Sequence, residues 1–297
     1  MIILNGIINN SQQMKQVYFY FLILLSGMCF FDCGSAKSTK SYSQGATLVD
    51  TAHYKLTYHF KFLKDTVKMI YGDDLNVVQI GDNSTKNYCF QTFNIDSVTN
   101  GMQTLTLNFD EYRDAILSRN TAYLKAHSYG TFGFYIYKDY RKKGMTVTDH
   151  ISYHRFVYED ELNPQNWIIL DDTMTVSGYS CQKAICSFRG RDWDAWFTPQ
   201  IPISEGPYKF YGLPGLIMKL EDTESHYSFE LNSFEKVNEP IYMTFYYSYR
   251  KMDRLSFLRL RMKGTETDLA AMEFAKIGIT IDGSNVLHYD HIERDYK

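Results

Sequence analysis

The chain has 297 residues and a formal net charge of −3, and 22% of its residues are charged. This balance argues against a nucleic-acid-binding protein, which typically has a strong basic excess. With 25 tyrosines and 20 phenylalanines, the chain is rich in the aromatic residues that favour β-strands.

The N-terminal region has the pattern of a secretory signal peptide. A short basic region begins at Lys15, and the apolar run Val17–Phe31 has about the length of a signal-peptide core. The same run is short for a helix that spans a membrane. Small residues at Gly34 and Ala36 fit cleavage before Lys37.

We therefore expect residues 1–36 to be a signal peptide and residues 37–297 to form a single β-rich domain. Met14 directly precedes the basic region, so we interpret residues 1–13 as lying upstream of the true start. The mature chain contains no second apolar run of membrane-spanning length, so we do not expect a helix of it to cross a bilayer. An N-terminal membrane anchor and a lipoprotein are the alternatives.

Apolar and polar residues alternate along much of the mature chain. In His53–Phe62, every second residue from Tyr54 to Phe60 is apolar and the intervening residues are polar, which is typical of a half-buried strand. Similar patterns predict strands at Leu75–Ile80, Tyr88–Phe93, Thr131–Tyr137, Val147–Tyr158, Trp167–Leu170, Met174–Ser187, Trp193–Thr198, Leu216–Glu221, His226–Leu231 and Ile241–Tyr247. Turn residues separate most of these strands. We therefore predict a mainly antiparallel β (α+β) fold, built as a strongly curved sheet or open barrel with a few short helices.

Helical patterns are few and short. Asp110–Leu124 has acidic residues in its first turn, and Met252–Met262 and Thr267–Ala275 flank a Lys-Gly pair. The C-terminal stretch Ile281–Lys297 has no clear periodicity, so we expect it to be loosely held.

Three cysteines remain in the mature chain: Cys89, Cys181 and Cys186. Export permits a disulfide, but the odd number leaves one thiol without an intramolecular partner. Cys181 and Cys186 are five positions apart and would lie on opposite faces of an uninterrupted strand. A disulfide between them therefore requires a bulge or turn near Lys183, and the sequence leaves this open.

Turn residues are concentrated between Gly178 and Ile217. Arg189–Asp192 separates two strand patterns and predicts a hairpin, and Ser204–Pro207 predicts a second turn. In Leu213–Leu216, Pro followed by Gly predicts a type II turn, in which Gly supplies the positive φ.

The same stretch resembles a known family. Gly212–Ile217 spells GLPGLI, the motif that names the GLPGLI (Porph_ging) family, and the residues upstream resemble the family's GY-x-CQKA, F-x-GR-x-W-x-AW and IPI…GP patterns in the same order. Phe197 stands where the family often has Tyr. The motif residues, interpreted as structural, are Gly190, Gly212, Leu213, Pro214, Gly215, Leu216 and Ile217.

The resemblance implies an exported protein of Bacteroidota-type bacteria, whose genes often lie beside those of TonB-dependent outer-membrane transporters. It implies no established activity, so no catalytic residue is transferred to this chain.

The candidate ligand-binding residues are Arg191, Trp193 and Trp196. The odd spacing of the two tryptophans places them on opposite faces of a strand, so that one can be buried while the other faces a groove. The alternative is that both belong to the core. His150 and His154 have a zinc-ligand spacing for a helix, but their surroundings are strand-like, so we predict no metal site and no cofactor.

Our leading hypothesis is an exported, non-catalytic accessory or binding protein of the periplasm or outer membrane, associated with a TonB-dependent transporter and presenting an aromatic-lined sheet surface. The alternatives are an envelope hydrolase that acts on a peptide or polymer, and a metal-handling protein.

Overall fold

The computed structural model describes residues 41–42, 45–101, 118, 132–151, 154–245, 248–263 and 290–296. The predicted signal peptide, the predicted helix Thr267–Ala275 and, except for Ser118, the predicted helix Asp110–Leu124 lie outside these residues. Lys40–Lys297 forms one compact unit. No described helix is long and apolar enough to cross a membrane.

The described residues form one sheet of thirteen strands. The strands are β1 (Ser41–Tyr42), β2 (Gly45–Asp65), β3 (Ile70–Ile80), β4 (Ser84–Cys89), β5 (Tyr135–Asp139), β6 (Gly144–Ile151), β7 (His154–Glu161), β8 (Ile168–Val176), β9 (Tyr179–Phe188), β10 (Arg191–Thr198), β11 (Leu216–Asp222), β12 (Tyr227–Phe245) and β13 (Tyr249–Lys251). Their order across the sheet is β1-β13-β7-β6-β5-β4-β3-β2-β12-β11-β10-β9-β8. All neighbours are antiparallel except β13 and β7. The sheet is mixed and does not close, which confirms the predicted mainly β fold.

The long strands β2 and β12 pair at the centre of the sheet. Leu56, Tyr58 and Phe60 on β2 are fully buried, whereas His59 and Lys61 are exposed. Phe60 stacks on Phe229 of β12 with ring centroids 4.3 Å apart. The alternation predicted for His53–Phe62 is therefore present.

The loop of residues 199–215 packs on part of the apolar face of the sheet. Phe210 in this loop is fully buried and packs against Trp193, with ring centroids 4.7 Å apart. Tyr58 donates a hydrogen bond to the backbone carbonyl of Ile217, at 2.8 Å. The aromatic side chains around Trp193 and Phe210 therefore belong to the buried core. They do not form the open aromatic-lined surface of our leading hypothesis.

Two short helices complete the described fold: α1 (Phe90–Gly101) and α2 (Arg254–Lys263). The strand predicted at Tyr88–Phe93 is wrong from Phe90 onwards, because the Asp74 carboxylate accepts the Gln91 N–H at 3.2 Å and caps the first turn of α1. Helix α2 agrees with the prediction, and the Asp253 carboxylate accepts the Ser256 N–H at its start.

Several predicted strand boundaries also differ from the structure. The strands predicted at His226–Leu231 and Ile241–Tyr247 belong to one continuous strand, β12. The single strand predicted at Val147–Tyr158 is a hairpin of β6 and β7, in which Ile151 pairs with His154. The predicted strand Met174–Ser187 is interrupted by a turn at Ser177 and Gly178, which both have positive φ. Such a pair of positive φ angles is typical of a tight hairpin.

The turns of the motif stretch are only partly as predicted. Arg189 and Gly190 form a two-residue hairpin with φ angles of 53° and 77°, as expected. In the GLPGLI motif, the Gly215 N–H donates to the carbonyl of Leu213 at 2.8 Å, which defines a γ-turn and not a type II turn. A Cβ at Gly215 would lie 2.1 Å from the Thr198 carbonyl oxygen, so a glycine is required by close backbone packing.

Candidate functional site

The Arg189-Gly190 hairpin lies against Asp290–Tyr296, which we call the C-terminal segment. The Arg294 N–H donates to the Arg189 carbonyl at 2.7 Å. A Cβ at Gly190 would lie 3.0 Å from the Arg294 Cβ. Glycine at this position therefore provides both the positive φ of the hairpin and room for the segment. The C-terminal segment is the described part of the stretch that we expected to be loosely held, and it is anchored over these residues. Residues 281–289 of that stretch lie outside the described residues.

Arg191 is buried beneath the same segment, with 3% of its surface exposed. Its guanidinium pairs with Asp222 at 2.7 Å, pairs with Asp290, and donates to the His291 carbonyl at 2.8 Å. It also lies 4.8 Å from the centre of the Tyr227 ring. Since these contacts occupy the guanidinium, Arg191 is a structural residue and does not offer a free surface to a ligand.

A second buried ionic cluster holds the middle of the C-terminal segment. Lys209 has no exposed surface, and its ammonium contacts Glu293 at 2.5 Å and Asp160 at 2.9 Å. Tyr208 donates to Glu293 at 2.5 Å, and Arg254 also pairs with this carboxylate. Three separate elements of the chain are thus linked through the Glu293 carboxylate.

The charges of this cluster determine its protonation. Burial alone would raise the pKa of Glu293, but the charges of Lys209 and Arg254 outweigh it and hold that pKa below its usual range. Burial alone would lower the pKa of Lys209, yet Glu293 and other neighbours raise it. Both groups therefore stay ionised near neutral pH, which suits a structural ion pair and not proton transfer.

A small cavity lies beside this cluster. Its volume is about 20 Å³, and its lining includes Tyr158, Tyr208, Arg261 and His291. Burial lowers the pKa of His291 to about 4, so this imidazole is neutral at pH 7. The cavity has room for about one water molecule and is much smaller than the pockets that enclose organic substrates.

Glu224, His226 and Asp290 form a cluster in which a metal ligand atom from each residue lies within 4.8 Å of the others. The His226 Nδ1 is 2.6 Å from an Asp290 oxygen. Arg294 donates to Glu224 and to Asp290, each at 2.8 Å, and Arg191 also pairs with Asp290. The two guanidinium groups thus occupy the carboxylates that a cation would need, and the arrangement favours ion pairing over metal binding.

The two candidate tryptophans lie in different surroundings. Trp193 is buried, and its indole N–H donates to the Phe188 carbonyl at 3.3 Å. Trp196 is half-buried, with the Lys183 ammonium 5.8 Å from its ring centre. Since Arg191 is also buried, the three candidate ligand-binding residues do not share one exposed surface.

The cysteines and the paired histidines are not brought together into a site. Cys181 and Cys186 are both buried free thiols, and β9 stays paired with β10 from Gln182 to Phe188 without a bulge. The disulfide considered from the sequence is therefore not formed, because an uninterrupted strand separates the two positions by about 16 Å. His150 is buried on β6, whereas His154 is exposed at the start of β7.

Lys86 lies on the other face of the sheet, in a second cluster of aromatic residues. Its ammonium is 5.4 to 5.8 Å from the ring centres of Tyr88, Phe93, Tyr135 and Tyr137. No described residue offers this ammonium a carboxylate within ion-pairing distance. Burial lowers the pKa of Lys86 to about 8, so part of this amine is neutral at mildly alkaline pH.

The strand β8 forms one edge of the sheet among the described residues. Ile168 and Ile169 are 61% and 45% exposed, and Met174 is 38% exposed. The register jumps between Ile169 and Thr173, so that Leu170 and the exposed Asp171 and Asp172 bulge outward. On the side of β8 that faces away from β9, the backbone N–H and C=O groups pair with no described strand. The same strand carries exposed apolar side chains.

Comparisons with known proteins agree with the motif. Residues 189–219 match the model of a family described as "Protein of unknown function (Porph_ging)". This match confirms the family resemblance found from the GLPGLI motif. It includes Arg189, Gly190, Arg191 and Lys209, which contact the C-terminal segment. No curated protein matches the chain.

Among solved structures, the chain is similar to PNGF-II in two crystal forms. In the P21 form the identity is 14% with a TM-score of 0.46, and in the C2 form it is 13% with 0.45. The matches cover 72% of this chain but only 34% and 33% of those chains, so this chain spans about a third of their length.

Sequence reasoning missed the partners of the C-terminal segment. Acidic residues at Asp290, Glu293 and Asp295 are visible in the sequence, as are the basic residues of the motif. This complementary charge is the signal that could have suggested the contact. The contacting residues Arg191 and His291 are 100 positions apart, and a single sequence offers no way to pair them.

Proposed function

We propose that this protein is an exported, non-catalytic accessory protein of the bacterial cell envelope that binds an extended segment of a partner along β8. The proposed partner is a TonB-dependent outer-membrane transporter. The signal-peptide pattern supports export, and the family resemblance supports the transporter as the partner.

The exposed edge at β8 is the observation that carries this proposal. An extended segment that adds to such an edge gains backbone hydrogen bonds, and side-chain contacts select which segment binds. Ile168 and Ile169 offer adjacent apolar contacts at the start of the strand. The exposed carboxylates of Asp171 and Asp172 favour a partner segment that carries a basic residue.

The buried ionic groups support a binding role over a catalytic one. Lys209 and Glu293 have perturbed pKa values, which can indicate an active site. Both, however, are shifted towards their ionised forms by mutual pairing, and the adjacent cavity holds about one water molecule. Their geometry accounts for the attachment of the C-terminal segment without invoking a reaction.

Affinity purification of the tagged protein from its native envelope, followed by mass spectrometry, tests the partner. We expect a TonB-dependent transporter to co-purify above an untagged control. If no transporter is enriched, the proposed partner is wrong.

A double substitution tests the binding edge. Ile168→Lys with Ile169→Lys should abolish co-purification, because charged side chains on an edge oppose strand addition. Leu48→Lys with Val49→Lys is the matched control, since these residues are also exposed, at 59% and 37%, but lie on β2. Retention of the partner by the β8 variant would exclude this edge as the binding surface.

A further inference from the structure

The C-terminal segment is attached to the rest of the chain mainly through ionisable side chains. It belongs to no strand of the sheet. Among the described residues, one backbone–backbone hydrogen bond joins it to the rest of the chain, from the Arg294 N–H to the Arg189 carbonyl. Of its side chains, Ile292 belongs to the buried core and Tyr296 packs against that core. A segment with so few backbone and apolar contacts is expected to open at a lower free energy than the strands of the sheet.

Each acidic residue of the segment pairs with a cation of the body. The pairs are Asp290 with Arg191, Glu293 with Lys209 and Arg254, and Asp295 with Arg189 and Arg254. The cations come from the β9–β10 hairpin, the loop of residues 199–215 and the start of α2. Arg294 of the segment pairs with the Glu224 carboxylate, between β11 and β12. Since a protonated carboxyl group no longer attracts a cation, acid weakens every one of these contacts.

His291 of the segment responds to acid in the same direction. Its imidazole is half-buried and lines the small cavity between the segment and the body. Burial lowers its pKa to about 4, and the charges of Arg261 and Arg191 act in the same direction against those of Asp290 and Asp149. The ionisable groups that line this cavity with it, among the described residues, are Asp149 on β6, Tyr158 on β7, Tyr208 in the loop, Arg261 on α2 and Glu293. The docked segment thus excludes the imidazolium form, which a released histidine would adopt below pH 6.5.

The cations of the body keep acidic partners when the segment is absent. Asp160 pairs with Arg189, Lys209 and Arg254, and Asp222 pairs with Arg191. These carboxylates lie on β7 and β11 and do not belong to the segment. Undocking therefore leaves no cation of this group without a counter-charge, and water can reach the groups that it uncovers. The segment can leave without unfolding the sheet.

We infer that the C-terminal segment is an acid-released strap, which joins the β9–β10 hairpin, the loop of residues 199–215 and α2 near neutral pH and undocks as a unit in acid while the sheet stays folded. Undocking uncovers Arg191 and Lys209. This device does not rest on the partner proposed above.

The sign of the pH dependence is the same for all these groups. On docking, the pKa of His291 falls from 6.5 to about 4, so the docking constant should fall about tenfold per pH unit between these values, roughly 300-fold in all. Burial alone would raise the pKa values of Asp290, Glu293 and Asp295, but their paired cations outweigh it and hold them below the usual range. Each carboxylate therefore adds to the loss as the pH falls below its usual pKa of about 4.

Hydrogen exchange of the full-length protein, followed by mass spectrometry from about pH 7 to about pH 3.5, tests this inference. Rates are expressed as protection factors against an unstructured chain at the same pH, so that the intrinsic pH dependence of exchange cancels. Residues 54–62 of β2 serve as the reference for the sheet. We expect protection of Asp290–Tyr296 to fall about tenfold per pH unit below about pH 6 and to vanish near pH 4, while β2 stays protected. Loss of protection in both regions at one pH, or constant protection of the segment, would overturn the inference.

A substitution isolates the contribution of the histidine. His291→Gln should remove the fall in protection between about pH 6 and about pH 4 and leave the steeper fall below it. His59→Gln, at an exposed position on β2, is the matched control and should keep the slope of the parent protein. A parent-like slope in His291→Gln would contradict the strap mechanism.

NMR titration of the parent protein provides the same test without a substitution. The His291 imidazole resonance, assigned by its absence from the spectrum of His291→Gln, should give an apparent pKa well below 6.5. An apparent pKa near 6.5 in the docked protein would overturn the coupling between undocking and protonation of His291.

Discussion

Glu293→Gln most directly tests how the C-terminal segment is held. Glu293 is 1% exposed, and its carboxylate contacts Lys209, Tyr208 and Arg254. Glutamine has the same size but no charge. The substitution therefore keeps the packing and removes the anion that compensates the buried Lys209 ammonium and the partly buried Arg254 guanidinium.

The expected loss of stability follows from this geometry. Removing one partner of a buried ion pair costs about 3–5 kcal/mol, because the other charge is left uncompensated. Asp160 remains 2.9 Å from Lys209 and provides partial compensation. We therefore expect the lower end of this range, about 3 kcal/mol, which is more than a hundredfold in the folding equilibrium constant.

Urea unfolding, followed by tryptophan fluorescence, measures this loss. With a slope of about 3 kcal/mol per molar urea, the midpoint should fall by about 1 M. Asp295→Asn is the matched control, because this side chain is 30% exposed and its ion pairs should contribute less than about 1 kcal/mol. A loss below about 1 kcal/mol for Glu293→Gln would refute the argument that this ion cluster anchors the segment.

The pH dependence of the stability provides an independent test of the same ion cluster. The folded-state pKa of Glu293 is lower than its usual value, because paired cations outweigh the effect of burial. The stability that it contributes is thus fully present above the usual glutamate pKa of about 4.3 and is lost as the pH falls through the folded-state pKa. Glu293→Gln should lose less stability than the parent protein as the pH falls through this range. An identical pH dependence of the free energy of unfolding in the two proteins would contradict the role assigned to Glu293.

Two further substitutions are predicted to act in opposite directions. Lys86→Met should stabilise the protein at pH 7 by up to about 3 kcal/mol, because burial lowers the pKa of Lys86 to about 8 and so penalises its charged form. The penalty is fully present below pH 8 and disappears as the pH rises towards the unfolded pKa of about 10.4, so the thermal midpoints of the two proteins should converge there. Gly190→Ala should destabilise by about 1–2 kcal/mol, since its φ is 77° and its added Cβ would press on Arg294. Hydrogen exchange should show lost protection in Asp290–Tyr296, and unchanged protection would show that the hairpin does not hold the segment.

The local parts of the fold could be predicted from the sequence. The alternation in His53–Phe62 specifies which face of β2 is buried, because side chains alternate along a strand. The Arg189-Gly190 turn is also a local signal, since glycine readily adopts positive φ. The main local failure, at Phe90, has a non-local cause: the residue that caps α1 is Asp74, 17 positions before Gln91.

The candidate site could not be predicted in the same way. Arg191 and Trp193 lie in a stretch rich in aromatic and charged residues, which suggested a ligand surface. Their role depends on Asp290 and Phe210, which reach them only in the folded chain. No periodicity or motif encodes a contact between positions that are far apart in sequence.

The bulge of β8 has a consequence for solubility. An open sheet whose edge is long, flat and apolar is a template for aggregation, in which copies of one chain pair without limit. Between Ile169 and Thr173, three residues of β8 face the single residue Lys183, and two of the three are aspartates. This interruption divides the edge into two short runs, so the edge lacks the long, flat strand that favours fibre growth, while a brief strand of another chain can still be accommodated.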